Sequence, residues 1–303
     1  MPAVLNTNAA SLYASKNLQS AQSKMATSVE RLSSGLRINR AKDDSAGLGI
    51  ANTLTSQINS ANQGIRNLND GISMVQTAEG AIGAANDMAQ RILTLATQGA
   101  NGTLGTTERT AIQSEMRQLL TAVTAIGGRT KFSGNSLLAV TTTTASATQF
   151  SLQATNQSSD SIALLNSAFF DIGFGSSTVT ATDTANGQAS ALTNATNAAN
   201  ITSATASAAA TAFNSVQTQA TAYITALGTQ RSLLGAYQNQ IEYTVSNITE
   251  LSSNLSAARS NVIDTDYATE TAALTKGQIL QQAATAMLAQ ANQMPNVILS
   301  LLK

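Results

Sequence analysis

The sequence contains no cysteine and no histidine, and each absence narrows the chemistry that the chain can support. Without cysteine there is no disulfide, no thiolate nucleophile and no cysteine-ligated metal. Without histidine the chain lacks the side chain that most often serves as a general base near neutral pH and as a metal ligand. These absences disfavour zinc sites, haem sites and histidine-dependent catalytic triads, whereas an enzyme built on Lys, Asp, Glu, Ser or Tyr stays open.

Charge is scarce as well. Charged residues make up 11% of the 303 residues, against roughly 25% in ordinary globular chains. The 16 basic and 16 acidic residues give a formal net charge of zero, so no global field attracts nucleic acid or an anionic membrane. We therefore predict no nucleic-acid partner. A weakly charged surface opposes self-association poorly, which suits a protein that associates with itself.

The chain also lacks the usual segments that direct a protein to a membrane. Its first residues, MPAVLNTN, contain no basic segment followed by an apolar one, so we expect no Sec signal peptide. No stretch is apolar enough to cross a bilayer, so we predict no membrane insertion.

Proline, the strongest helix breaker, occurs only at Pro2 and Pro295, which favours long uninterrupted helices. A first stripe of apolar residues at alternating spacings of four and three predicts a heptad seam. Glu79 occupies the seam position between Val75 and Ile82, where it is expected to loosen or specify the register. The stripe comprises Leu54, Ile58, Ala61, Ile65, Leu68, Ile72, Val75 and Ile82.

A second helix is expected after a glycine-rich turn at 99–105. Thr107 is the predicted N-cap, and Gly127 with Gly128 is expected to end the helix. Its stripe comprises Ile112, Met116, Leu119, Val123 and Ile126.

The C-terminal half repeats the pattern over a longer distance, and a helix of this length needs partner helices to cover its stripe. The stripe comprises Phe213, Val216, Ala220, Tyr223, Leu227, Leu234, Tyr237, Ile241, Thr244, Ile248, Leu251, Leu255, Ala258 and Val262.

The segment 141–195 differs in composition, because Ser, Thr, Ala and Asn dominate it. Residues 149–154 and 177–183 alternate in the way that favours short strands. We predict a small β-hairpin insert within a mainly α-helical chain.

Both ends of the chain are amphipathic, and this pattern has two interpretations of about equal weight. The termini either pack onto the body as ordinary core or form a layer of contacts between subunits. The stripes comprise Leu18, Met25, Val29, Leu32 and Leu36 near the N-terminus, and Ile279, Met287, Leu288, Ala291, Met294, Ile298 and Leu301 near the C-terminus.

Several blocks of sequence resemble bacterial flagellin in content and in order. The N-terminal blocks are RLSSGLRIN at 31–39, RAKDDSAGLGIA at 40–51, NLNDGISMVQTAEGA at 67–81 and TKFSGNSLL at 130–138. The C-terminal blocks are DTDYATE at 264–270, KGQILQQA at 276–283, LAQANQ at 288–293 and VILSLLK at 297–303. One such block alone would be moderate evidence, whereas the whole set is very specific.

The resemblance implies a long antiparallel helical coiled-coil bundle with paired N- and C-terminal helices. Residues 1–45 with 259–303 would form the terminal domain that lines a filament core, and 46–258 would form a bundle domain carrying the variable insert at 141–195. The implied function is a structural subunit, not an enzyme, that self-assembles into the flagellar filament used for swimming. No cofactor or metal is expected.

The resemblance also implies partners and a location. The chain would leave the cell through the flagellar type III apparatus and polymerise outside it. Hook-associated and cap proteins and an export chaperone would bind it. Some flagellins are detected by Toll-like receptor 5, and Arg91, Leu95, Gln98 and Glu115 match the family's contact positions, whereas Thr94 departs from them.

Other interpretations compete with the filament subunit. A hook–filament junction protein would share the terminal domains, and a flagellin-like surface protein could bind glycans through its insert. Asp43–Asp44 and the pair Asp264 and Asp266 could bind cations, but solvated charges or ion pairs are the simpler explanation. Asn101-Gly-Thr fits an N-glycosylation signal that is frequent by chance.

Overall fold

The computed structural model describes residues 8–138, 150–157, 160–164, 192–202 and 205–301. The predicted long helices are confirmed. They are α1 (Ala9–Ser34), α2 (Ser45–Gly99), α3 (Thr106–Arg129), α4 (Ala206–Ile263) and α5 (Tyr267–Leu301). Residues 192–197 form a further short helix, which a 3₁₀ turn at Ala199–Thr202 follows.

Two antiparallel hairpins follow α3. Strands β1 (Lys131–Phe132) and β2 (Asn135–Ser136) are joined by Ser133 and Gly134, whose φ angles of 50° and 84° are left-handed, as a tight two-residue turn requires. Strands β3 (Phe150–Gln153) and β4 (Ser161–Leu164) pair with Phe150 opposite Leu164. The strand predicted at 149–154 is therefore confirmed, whereas the one predicted at 177–183 lies outside the described residues.

By its internal contacts the chain divides into two compact units, Met1–Ile58 with Ser253–Lys303, and Asn59–Ser252. These limits fall within α2 and α4. The boundaries predicted at 45/46 and 258/259 stay a prediction.

In the first unit α1 and α5 pack together as an antiparallel pair. Asn8 caps α1 by accepting a hydrogen bond from the Ser11 amide, and α1 ends at Gly35, whose φ of 72° is left-handed. The Thr265 amide donates to the Gly35 carbonyl over 2.9 Å, which joins the end of α1 to the start of α5. The expected pairing of the chain ends is thus confirmed.

The second unit has one apolar core built from α2, α3, α4 and the strands. The apolar residues of the α4 stripe from Phe213 to Ile248 lie in this core as predicted, whereas Thr244 is not part of it and Leu251 is exposed. Arg231 on α4 lies 3.4 Å from Glu79 on α2.

The buried stripe of α2 differs from the predicted seam at alternate positions. Ile65, Ile72 and Glu79 are only half-buried, and the buried residue is in each case the preceding one, Gly64, Gly71 or Ala78. The predicted seam position of Glu79 was wrong, because Ala78 occupies the seam. At Gly64 and Gly71 a small residue is needed because the Ala154 carbonyl and the Leu152 side chain lie against the helix there. The buried residues from 61 to 99 with unbroken three–four spacing are Ala61, Gly64, Leu68, Gly71, Val75, Ala78, Ile82, Ala85, Ala89, Ile92, Ala96 and Gly99.

The ends of α3 also differ from the prediction. Its N-cap is Gly105, whose carbonyl accepts from the Arg109 amide at 3.2 Å, so Thr107 lies inside the first turn. The helix continues through Gly127 and Gly128 to Arg129. A helical glycine costs only about 1 kcal/mol, which core packing elsewhere along α3 can offset.

Candidate self-assembly surface

The α1–α5 pair is joined along a seam of small side chains that recur every seventh residue. These small residues are buried between the two helices, and the half-buried Met25 lies beside Gly277. A Cβ atom added at Gly277 would lie 3.5 Å from the Met25 Cβ, an ordinary contact distance. Seven-residue spacing keeps one face of each helix on its partner. The seam residues are Ala14, Ala21 and Ser28 of α1, and Gly277, Ala284 and Ala291 of α5.

Polar contacts tie the α1–α5 pair at both ends and fix its register. At one end the Asn8 side chain donates to the Ala291 carbonyl over 2.7 Å. At the other end Arg31 lies 3.6 Å from Glu270, and both side chains are partly buried. The Arg37 amide donates to the Ile263 carbonyl over 2.7 Å just beyond. A one-residue slip would break all of these contacts.

Because small residues fill the seam, large apolar side chains of the pair remain in solvent. Of the sequence-predicted assembly residues, Val29 is 51% exposed, Ile279 60% and Met287 64%. The half-buried ones are Leu18, Met25, Leu32, Leu36 and Leu288. The side chains of Met294, Ile298 and Leu301 lie outside the described residues. Isolated exposed apolar residues are ordinary, but a cluster on one helix pair indicates an interaction surface.

Sequence reasoning missed other exposed apolar residues of this pair. Leu12 and Tyr13 are each 70% exposed, and Leu280 is 45% exposed. Leu12 and Tyr13 precede the predicted N-terminal stripe, and Leu280 falls between two positions of the C-terminal stripe, so the predicted stripes did not include them. The signal that could have found them is the run of small residues at heptad spacing, which identifies the face that is already covered.

An apolar groove runs along one side of the seam. Its volume is about 680 Å³, and its large side chains are Tyr13, Leu280 and Met287. Ala21 and Ala284 of the seam lie at its floor. Lys24 is the one charged residue among the described residues that line it. The groove can therefore accept an apolar side chain much more readily than a charged one.

Helix α5 begins at a carboxylate that is fixed by hydrogen bonds. The Asp266 side chain accepts from the Thr269 hydroxyl at 2.7 Å and from the Ala268 amide at 2.9 Å. The Thr269 hydroxyl, followed by the two backbone amides, lowers the pKa of Asp266 below its ordinary value of 3.8. Asp266 is thus a helix cap.

The other carboxylates that were weighed as cation ligands have similar local roles. Asp44 accepts from the Gly47 amide at 2.8 Å at the start of α2, and Asp43 accepts from the Arg40 amide at 3.0 Å. Arg40 pairs with Glu30 at 2.8 Å. Within the part of the chain that the structure describes, no three acidic residues converge as a cation site would need.

The residues matched to receptor-contact positions separate into two groups. Arg91 and Glu115 form an exposed ion pair at 2.8 Å, and Gln98 is exposed on the same helix as Arg91. Leu95 is only 2% exposed and belongs to the core. Its side chain therefore faces the packed interior, and its assignment as a receptor contact stays a prediction.

No helix among the described residues combines the length and the apolar character needed to cross a bilayer.

The chain matches two family models, the bacterial flagellin N-terminal helical region over residues 5–143 and the bacterial flagellin C-terminal helical region over 218–302. It is 37% identical over 312 residues to the flagellin of Bacillus subtilis, covering 99% of each chain. It is 35% identical over 300 residues to the flagellar filament 33 kDa core protein of Treponema phagedenis, covering 99% of this chain and 100% of that one.

Among solved structures, one of a flagellar hook-associated protein from Vibrio parahaemolyticus superposes with a TM-score of 0.52. The match covers 73% of this chain and 100% of that one, at 13% sequence identity. At this identity the likeness concerns the fold alone.

Proposed function

This chain belongs to the bacterial flagellin family, and we propose that it polymerises through the exposed apolar faces of its α1–α5 pair. It is a structural subunit of the bacterial flagellar filament, in which copies of it form a homopolymer. The observation that carries the proposal is that the α1–α5 pair uses small residues for its own seam and leaves large apolar residues exposed. Small residues complete the intramolecular seam, so large apolar side chains are left for another molecule.

Burial of these side chains supplies the energy for association. Moving a side chain such as Met287 or Ile279 from water into a packed contact gives roughly 1.5–3 kcal/mol. Both are more than half exposed in the isolated subunit, at 64% and 60%. A neighbouring copy that seats an apolar side chain in the groove would recover most of this energy.

The geometry favours an open polymer. The groove lies beside the seam, whereas Leu12 is at a position of α1 opposite the buried residue Ala14 and its heptad partners. A contact between two different faces is heterologous, and a heterologous contact that does not close generates a helix of subunits.

The remaining features of the proposal rest on family membership. Residues 1–45 with 259–303 line the filament core, and 46–258 form the next layer outward. The chain is exported by the flagellar type III apparatus and functions outside the cell, without catalysis and without a cofactor. Hook-associated and cap proteins bind the assembled chain, and an export chaperone covers α5 before assembly. The exposed apolar side chains of α5 support this last contact.

Recognition by Toll-like receptor 5 is proposed for a reduced patch. Arg91 and Gln98 are exposed, and the half-buried Glu115 pairs with Arg91, so the three residues suit a polar contact, whereas Leu95 is buried in the core. A binding assay with Arg91→Ala and Glu115→Ala variants tests this patch. Equal receptor affinity for both variants and the parent chain would exclude this patch as a receptor contact.

Seeded polymerisation tests the assembly surface. The purified full chain, its Met287→Lys variant and its Gln282→Lys variant would each be added to sheared filament fragments and observed by electron microscopy. Both variants add one lysine to an exposed position of α5, but only Met287 lines the groove. Because both positions are exposed, we expect little change in the stability of the isolated chain.

We expect the parent chain and Gln282→Lys to elongate the seeds and Met287→Lys to fail. Burying the new ammonium without a partner would cost several kcal/mol. Normal elongation by Met287→Lys would exclude the groove as a subunit contact.

The two competing interpretations receive less support. A junction protein shares the fold, but the near-complete coverage of filament proteins from two organisms favours the filament subunit. Glycan binding by the insert stays a prediction, because most of 141–195 lies outside the described residues.

A further inference from the structure

The turn between α2 and α3 exposes an asparagine followed by a glycine. Asn101, Gly102 and Thr103 are all exposed. The Leu104 amide donates to the Asn101 carbonyl over 3.3 Å, and the Asn101 amide donates to the Gln98 carbonyl over 3.2 Å. The Asn101 side-chain carbonyl accepts from the Thr103 amide at 3.1 Å. The turn thus holds the Asn101 side chain folded back over the backbone that follows it.

We propose that Asn101 is a site of spontaneous deamidation, with water as the only co-reactant. Loss of the Gly102 amide proton to hydroxide leaves a nitrogen anion that attacks Cγ of Asn101. The new N–Cγ bond closes a five-membered succinimide, and the Cγ–Nδ2 bond breaks as the leaving nitrogen takes a proton from water, which releases ammonia and regenerates the hydroxide. Water then opens the ring at either carbonyl and gives aspartate or isoaspartate. The net change is asparagine plus water to an acidic residue plus ammonia, with no oxidation or reduction.

Three features of the turn favour this reaction at Asn101. Among the described residues, none accepts a hydrogen bond from the Gly102 N–H, so that proton is open to solvent. Glycine has no side chain to hinder the attacking nitrogen, and, apart from its two chain neighbours, no residue has an atom within 4 Å of the position a Cβ would take. The Thr103 amide donates to Oδ1, the oxygen that becomes negative as the ring closes, which stabilises that charge.

Asparagines inside the helices provide the contrast. Asn59 in α2 and Asn214 in α4 are each followed by serine and are exposed. The amide after each of them lies within a helix, where it donates to the carbonyl four residues earlier. It is therefore neither free to lose its proton nor able to rotate toward the side chain.

Deamidation would change the charge of every subunit in which it occurs. The chain has a formal net charge of zero, so each event leaves one negative charge per subunit. The new carboxylate lies just beyond the C-terminal end of α2, where the helix dipole disfavours negative charge. The isoaspartate product also lengthens the backbone within the turn.

Peptide mapping by mass spectrometry of the purified full chain, incubated at mildly alkaline pH, tests the proposal. The peptides that contain Asn101, Asn59 and Asn214 would be followed over time, separately from the second Asn-Gly pair at 186–187. We expect Asn101 to be converted progressively to a mixture of aspartate and isoaspartate, at a rate that rises with hydroxide concentration. We expect the helical asparagines to stay unchanged over the same period.

Two variants separate this reaction from its alternatives. Gly102→Ala adds a methyl group in open space and should slow the conversion several-fold without altering the fold. Thr103→Val removes the N-glycosylation signal but keeps the backbone N–H that contacts Oδ1, so deamidation should continue at the parent rate. An Asn101 that stays intact, a rate unchanged in Gly102→Ala, or a glycan on Asn101 in filaments isolated from cells would overturn the proposal.

Discussion

Adding a methyl group to Gly64 should destabilise the second unit, although the same change at Gly80 should stabilise it. Both glycines lie inside α2, where alanine is preferred to glycine by about 1 kcal/mol. Propensity alone therefore predicts the same gain at both sites. The structure predicts opposite signs, because the surroundings of the two glycines differ.

At Gly64 the added Cβ would lie 1.7 Å from the carbonyl oxygen of Ala154 and 2.6 Å from its carbonyl carbon. Nonbonded carbon and oxygen atoms need more than 3 Å, so the end of the β3–β4 hairpin would have to move by about 1.5 Å or more. Backbone atoms cannot rotate out of the way as a flexible side chain can. At Gly80, apart from its chain neighbours and the adjacent backbone of α2 itself, no atom lies within 4 Å of the added Cβ, so the gain is kept.

The cost at Gly64 follows from what holds the hairpin on α2. The Asn67 side chain donates to the Gln153 carbonyl over 3.0 Å, and losing this bond costs about 0.5–1.5 kcal/mol. Leu152 packs against the core nearby, and exposing most of a leucine costs about 1.5–3 kcal/mol. After subtracting the helix gain, we expect Gly64→Ala to destabilise the second unit by about 2 kcal/mol. Gly80→Ala should stabilise it by about 1 kcal/mol.

Thermal unfolding of the full-length parent chain and the two variants, followed by circular dichroism, ranks their stabilities. Hydrogen exchange at the β3 amides then localises the effect. We expect melting temperature to rise in the order Gly64→Ala, parent, Gly80→Ala, with faster exchange in β3 for Gly64→Ala alone. If Gly64→Ala were as stable as Gly80→Ala, the close approach of the hairpin to α2 would be refuted.

Further predictions concern the terminal pair and the core of the second unit. Ala21→Leu places three extra carbons in the tight α1–α5 seam and should destabilise the helix pair by about 1–3 kcal/mol. The effect should appear as faster hydrogen exchange in both helices, and unchanged exchange would contradict the close packing of the two helices at Ala21. Because Asp266 has a lowered pKa in the folded chain, its stabilisation of the start of α5 is complete above pH 3.8 and is lost as the pH falls through the lowered pKa. Asp266→Ala should abolish this acid-dependent fraying of α5, measured by hydrogen exchange. Leu95→Ala should lower the free energy of unfolding by about 2–5 kcal/mol in chemical denaturation, whereas Arg91→Ala should lower it by less than about 1 kcal/mol. Equal losses would contradict the burial of Leu95.

The sequence alone located the long helices, because their signals are local. Large apolar residues at three–four spacing, and prolines confined to the ends, were sufficient for α2, α3 and α4. The terminal stripes likewise predicted α1 and α5. The motif blocks identified the family, and with it the pairing of the two chain ends.

Only the tertiary structure decided which face of each helix is covered. In α2 the seam passes through Gly64, Gly71 and Ala78, although Ile65 and Ile72 gave the stronger apolar signal. At Gly64 and Gly71 the reason is that the Ala154 carbonyl and the Leu152 side chain approach the helix closely, which favours a residue without a side chain. Hydrophobic periodicity weighs the size of a side chain and has no information about the distance to its neighbour.

The same physical reason governs the assembly surface. The sequence identified Val29, Ile279 and Met287 as apolar residues of the chain ends, but could not decide between core and subunit contact. Packing α1 against α5 through alanine, serine and glycine settled which side chains the chain itself covers. Large residues that lie off this narrow seam stay exposed, because a close helix pair has no room for them between its axes.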